Sequence, residues 1–123
     1  MKISRTIVVL DAADVDAVSS FWARLLGGTV EPQDGWNNIV VDGDWRVAVQ
    51  LAPDHVPPEW PDGTPQQIHL DLWIDDLETA HEEVMALGAR VLKPADDPDA
   101  AHGFQVYADP AGHPFCLCWG WQI

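Results

Sequence analysis

A chain of 123 residues is long enough for one compact domain, or for two half-domains sharing a core, since a half of this size buries too little apolar surface to stand alone. Twenty acidic against six basic residues leave a formal net charge of −14, which repels phosphate backbones and anionic headgroups, so neither nucleic acid nor a membrane is expected as a partner. No apolar run approaches the ~20 residues that cross a bilayer, and the opening Met1-Lys-Ile-Ser-Arg-Thr-Ile7 lacks the layout of a secretion signal, so a cytoplasmic protein is expected.

In chain order, the apolar, β-branched run Ile3 to Leu10 reads as a strand, and Asp11-Ala-Ala-Asp14 supplies turn and N-cap chemistry for a helix. Val15, Val18, Phe21, Trp22, Leu25 and Leu26 recur at helical spacing along one face, and Gly27-Gly28 ends the helix. Thr29 to Glu31 reads as a short strand. Trp36 to Val41 and Trp45 to Leu51 then form a hairpin around Asp42-Gly43-Asp44. Ala52 to Gln67, punctuated by Pro57-Pro58 and Asp62-Gly63, suits neither a helix nor a central strand and reads as a crossover.

Beyond it the pattern repeats. Ile68 to Ile74 reads as a strand, Asp75-Asp76 with Glu78 as an acidic helix start, and Leu77, Ala80, Val84 and Leu87 as the buried face of that helix. Ala89 to Leu92 is a short strand, Asp96 to Asp99 an acidic loop, and Phe104 to Ala108 with Pro114 to Trp119 a last hairpin turning on Asp109-Pro-Ala-Gly112. The fold class is therefore α+β: two βαβββ units, residues 1–52 and 68–123, joined by residues 53–67 within a single domain. Such a duplication is expected to curl two sheets around a cleft that suits a small ligand. Cys116 and Cys118 stand two apart on one strand, where disulfide geometry is poor, so reduced thiols are expected.

Phe21-Trp22 before Leu25-Leu26-Gly27, His69-Leu-Asp-Leu72 with Asp75-Asp76-Leu77, Leu87-Gly88-Ala89, and Asp109-Pro-Ala-Gly112 with Phe115-Cys-Leu117 resemble the vicinal oxygen chelate superfamily. That superfamily groups glyoxalase I, bleomycin-resistance proteins and extradiol dioxygenases, and the resemblance is narrower still to its glyoxalase-like domain proteins. It implies the curved-sheet cleft, often within a homodimer. It does not imply one reaction, because members range from metal-dependent isomerases and dioxygenases to metal-free proteins that sequester antibiotics.

Strand alternation sorts the second unit's first strand into Leu70, Leu72 and Ile74 toward the helix and His69, Asp71 and Trp73 toward the cleft. Arg46, Ala48 and Gln50 are expected to share a cleft face in the first unit, and Cys116 and Cys118 one in the second. Where metal-using relatives bind a divalent ion, the resemblance aligns Ile7, Gln50, His69 and Cys116. Isoleucine cannot ligate, and a neutral carboxamide with a soft thiol suits neither a Mg/Mn/Ni site nor a closed zinc site. No cofactor is therefore expected. A divalent metal, if held, would use His69, Gln50 and Cys116, with Asp71 or Cys118 as substitutes.

His69 reads either as a hydrogen-bonded wall residue or as a group orienting a ligand, with Asp71 tuning its tautomer. Of seven tryptophans, Trp22 and Trp119 suit the core, whereas Trp36, Trp45, Trp60 and Trp73 are placed to line a pocket and stack on a planar ligand. His55, His81, His102 and His113 read as solvated. Two functions stay open: a small-molecule-binding protein with a degenerate metal site, holding an aromatic or apolar ligand oriented by His69, Gln50 and Arg46, or a metal-dependent lyase, isomerase or dioxygenase of the glyoxalase type.

Overall fold

The computed structural model describes residues 1–120; Trp121, Gln122 and Ile123, the end of the expected second unit, lie outside the described residues. The chain divides into two compact units, Met1–Val56 and Pro57–Ile123.

The first unit runs β1 (Val8–Ala12), α1 (Val15–Leu26), β2 (Thr29–Gln33), β3 (Trp36–Val41) and β4 (Asp44–Leu51). Asp14 caps α1 by accepting the Ala17 amide, and Gly27 closes it in the left-handed region at φ 72°, which costs glycine no Cβ clash. The sheet order is β1-β4-β3-β2, with β1 parallel to β4 and the other pairs antiparallel. Val18, Phe21 and Trp22 of α1 are buried, as are Leu10, Ala12, Ile39, Val47 and Val49, which share one parity across the paired strands. Asn37 has the same parity and donates to Ser19 Oγ at 3.1 Å, which fixes that face of the sheet as the one under α1. Asp42 (φ 52°) and Gly43 (φ 77°) form the two-residue β3–β4 turn.

The second unit repeats the order as β5 (Leu70–Trp73), α2 (Leu77–Ala86), β6 (Arg90–Lys93), β7 (Gly103–Ala108) and β8 (Pro114–Trp119), arranged β5-β8-β7-β6. Again the outer pair β5–β8 is parallel. Asp76 caps α2 through the amide and hydroxyl of Thr79. Every residue of β8 is buried. Among the described residues, no helix is long and apolar enough to cross a membrane.

Two strands are shorter than hydropathy predicts. β1 starts at Val8 rather than Ile3, because Val8 is the first residue with a ladder partner, and Ile3 is 71% exposed. β5 likewise pairs only from Leu70, so His69 sits one residue ahead of the ladder. An apolar, β-branched run supplies propensity, but a strand also needs a neighbour to pair with.

Candidate functional site

The second sheet has two chemically different faces. Gln105 and Tyr107 of β7 lie toward α2, since the Tyr107 hydroxyl stands 2.7 Å from His81 Nδ1 on that helix. The ladder puts Leu70, Leu72, Phe115 and Leu117 on the same side. Asp71 and Trp73 of β5, Cys116 and Cys118 of β8, and Phe104 and Val106 of β7 therefore occupy the opposite face. Asp71 is paired directly with Cys116, and Trp73 with Cys118. Trp60 and Leu92 pack against the buried trio Val106, Cys116 and Cys118, so the thiols sit on an apolar floor.

At the edge of that floor the polar groups converge. His69 Nε2 lies 3.3 Å from Asp71 Oδ1, both side chains somewhat over two-fifths exposed. Donor atoms of His69, Asp71 and Cys116 all fall within 4.8 Å of one another. Burial pushes the Cys116 thiol up to about 12, and the Asp71 carboxylate adds to this by repelling the thiolate and accepting the thiol's hydrogen bond. Burial, with Asp71 again, raises Cys118 to about 11. Both thiols are thus protonated near neutrality and are weak nucleophiles by themselves.

Of the residues expected to form a site, His69, Asp71, Trp73, Cys116 and Trp60 do share one face of the second unit. Trp73 is 42% exposed beside the His69–Asp71 pair. In the first unit, Trp36, Gln50 and Asp11 form one row across β3, β4 and β1, on the face opposite α1. Trp36 Nε1 donates to Asn38 Oδ1 at 2.6 Å. The alternation expected from Gln50 through Ala48 to Arg46 is interrupted: a bulge puts Trp45, not Arg46, opposite Val40. Arg46 pairs instead with Asp44 at 3.0 Å, and Arg5 lies over the Trp45 ring. Ile7 just precedes β1.

Two histidines that read as solvated are held by partners. His113 Nδ1 is 2.6 Å from Oδ2 of Asp109, whose buried carboxylate also accepts the amides of Ala111 and His113. His81 belongs to a network in which Gln105 Nε2 donates to Tyr107 Oη at 2.7 Å while its carbonyl accepts the Ala95 amide. The signal for the latter was present in the sequence: His81 follows Leu77 by four residues on α2, and Gln105 and Tyr107 share a parity on β7.

Which cation the donors could hold follows from their types. An imidazole, a carboxylate and a thiol match a borderline ion of the zinc type and not Mg²⁺ or Mn²⁺, which favour oxygen ligands. Asp71 joins His69 and Cys116 in this group, as one of the substitutes expected, and Gln50 lies in the first unit.

The family model described as "Glyoxalase-like domain" matches residues 7–118. No curated protein matches. Among solved structures, the fosfomycin resistance protein FosX of Listeria monocytogenes superposes with a TM-score of 0.72 at 15% identity, covering 98% of this chain and 96% of that one. FosX of Mesorhizobium loti gives 0.70 at 15% identity over 98% and 95%. A glyoxalase/bleomycin resistance protein/dioxygenase family enzyme of Burkholderia phytofirmans PsJN gives 0.70 at 13% identity over 94% and 97%. At such identities these likenesses speak for the fold alone. The match along nearly the whole chain, on two four-stranded sheets each carrying one helix, makes this protein a member of the glyoxalase-like domain family within the vicinal oxygen chelate superfamily.

Proposed function

We propose that the protein binds a small aromatic or apolar molecule, with the open face of β5 and β8 as its recognition surface. The carrying observation is the exposed Trp73 indole standing beside the His69–Asp71 pair, on a floor of buried thiols and Trp60. An indole face offers area at little entropic cost, and the polar pair fixes orientation. Solved proteins of the same fold are described as a fosfomycin resistance protein and as a glyoxalase/bleomycin resistance protein/dioxygenase family enzyme, and a small molecule is proposed as the ligand here by that analogy of fold. The reading places the protein in the cytoplasm, working as a homodimer, with no nucleic acid or membrane partner.

Titrating planar phenolics and antibiotics while following indole fluorescence tests it. Saturable quenching is expected, weakened about tenfold by Trp73→Ala, which corresponds to the ~1.4 kcal/mol of a good aromatic contact. Silence across a broad panel would refute it.

One observation favours a second reading, a metal-dependent lyase, isomerase or dioxygenase of the glyoxalase type: the convergence of His69, Asp71 and Cys116. When bound, a cation there would polarise a substrate oxygen. The chain's own residues would hold it through His69 and Asp71 at the rim and Cys116 beneath. Elemental analysis of untagged protein discriminates, since stoichiometric metal supports this reading and its absence after reconstitution counts against it.

A further inference from the structure

We propose that the cavity between β6 and the proline-rich crossover is a second binding site, made for a small zwitterion of the amino-acid class with an apolar side chain. Residues 57–62 form one wall and Arg90 and Leu92 of β6 the other, enclosing about 350 Å³. All of them belong to the second unit, and β6 is the sheet edge opposite β5. The proposal therefore goes beyond the aromatic-ligand reading of the Trp73 rim and does not depend on it.

Both walls are built by local rules. Arg90 pairs with Ala108 and Val91 with Tyr107, so Arg90 has the parity opposite to Tyr107 and stands on the face away from α2. Leu92 is the extra residue of the β6 bulge between Val91 and Lys93. Pro57, Pro58 and Pro61 have no amide hydrogen to donate to a sheet edge, so side chains hold the crossover wall instead. Half-buried Trp60 packs with Leu92 on Val106, Cys116 and Cys118, and Pro57 lies against the β7–β8 turn, where a Cβ on Gly112 would fall 2.4 Å from Pro57 Cβ. The Glu59 amide donates to the Thr64 carbonyl at 3.1 Å, closing the turn that carries Glu59 and Asp62. The cavity is thus braced before any ligand arrives.

Its charges are of both signs and stand apart. Arg90 lines one wall and Glu59 and Asp62 the other, yet among the described residues none of the three makes an ion pair. A ligand carrying both charges satisfies both walls: its carboxylate meets the guanidinium fork of Arg90, and its ammonium the two carboxylates. Trp60, Leu92 and the prolines offer apolar surface to its side chain. A plain anion would face Glu59 and Asp62, and a plain cation would face Arg90. The net charge of −14 also repels the anion, whereas a zwitterion, having no net charge, escapes that penalty. The volume lies near the lower end of ligand pockets, which suits a single amino acid and not a long peptide.

Isothermal titration calorimetry of the whole chain tests it, with L-leucine and L-phenylalanine as probes. Each is compared with the acid that lacks its amine and the amine that lacks its acid: 4-methylpentanoate and 3-methylbutylamine for leucine, 3-phenylpropanoate and 2-phenylethylamine for phenylalanine. At least one amino acid should saturate a single site, with both of its analogues weaker by about tenfold or more, the loss expected when a charged group goes unpartnered. Arg90→Gln should weaken the amino acid by a similar factor, and so should Glu59→Gln combined with Asp62→Asn. All three positions are exposed, so these variants remove charge without opening the core, and circular dichroism establishes that each is folded. No saturable binding of either amino acid, an analogue that binds as tightly as its parent, or wild-type affinity in Arg90→Gln would overturn the proposal.

Discussion

Asp71→Asn is the perturbation that most sharply probes the electrostatics of the β5–β8 face, read out as cysteine alkylation against pH. With the Cys116 thiol raised from 9.0 to about 12, the thiolate fraction at pH 8 is about a thousandfold below that of an ordinary cysteine, and burial slows access further. Iodoacetamide labelling, with Cys118→Ser isolating Cys116 and Cys116→Ser isolating Cys118, should therefore give rates that climb about tenfold per pH unit well past pH 9. A free thiol would level off there. Asp71→Asn removes the carboxylate's repulsion and its hydrogen bond but leaves burial, the larger cause, so the rate at pH 8 should rise severalfold yet stay below that of a free thiol. The same shift has a linked effect on stability. Because the folded state keeps a proton that the unfolded chain loses, the stabilisation is complete below pH 9 and drains away as pH rises toward 11 and 12, on the order of a few kcal/mol in all. Wild-type labelling at the free-thiol rate with a plateau near pH 9, or an unchanged rate in Asp71→Asn, would refute the convergence of Asp71 on the thiols.

Other outcomes follow from the same structure. Tyr107→Phe strips the hydroxyl shared by His81 and Gln105 under a fully buried ring, and should cost about 1–3 kcal/mol in denaturant unfolding; no loss would mean the network contributes nothing. Asp109→Ala deletes the buried acceptor of the Ala111 and His113 amides and the partner of the His113 ring, and should cost about 3 kcal/mol or more, with Asp109→Asn recovering part of it. Gly28→Ala would set a Cβ 2.3 Å from the Val40 carbonyl oxygen and should destabilise by roughly 1–3 kcal/mol, because backbone cannot step aside as a side chain can. Gly43→Ala meets open space but sits at φ 77°, so a smaller loss of about 1 kcal/mol is expected.

The duplicated βαβββ order was legible because its signals are local: helical periodicity, paired glycines after α1 and an Asp-Gly hairpin turn each act within a few residues. Alternation along β5 puts Asp71 and Trp73 on one side, and the parallel β5–β8 pairing opposes Asp71 to Cys116. Alternation failed at Arg46, where the β3–β4 bulge breaks the period of two and nothing in the local composition announces it. It was silent on contact as well. Residues two apart on a strand need not touch, and the 3.3 Å approach of His69 to Asp71 depends on His69 lying just outside the ladder, where its backbone is not held by pairing. The partners of His81 and His113 depend on a helix–sheet contact and on a turn around a buried carboxylate, which side-chain polarity alone does not reveal.

The most direct measurement of the central claim is a fluorescence titration of wild type and Trp73→Ala, in parallel, with a panel of planar aromatic compounds. The account predicts at least one saturable quenching isotherm in the wild type that shifts about tenfold toward weaker binding in the variant. Isotherms that coincide for the two proteins would contradict it, because the face built by β5 and β8 would then not be where the ligand sits.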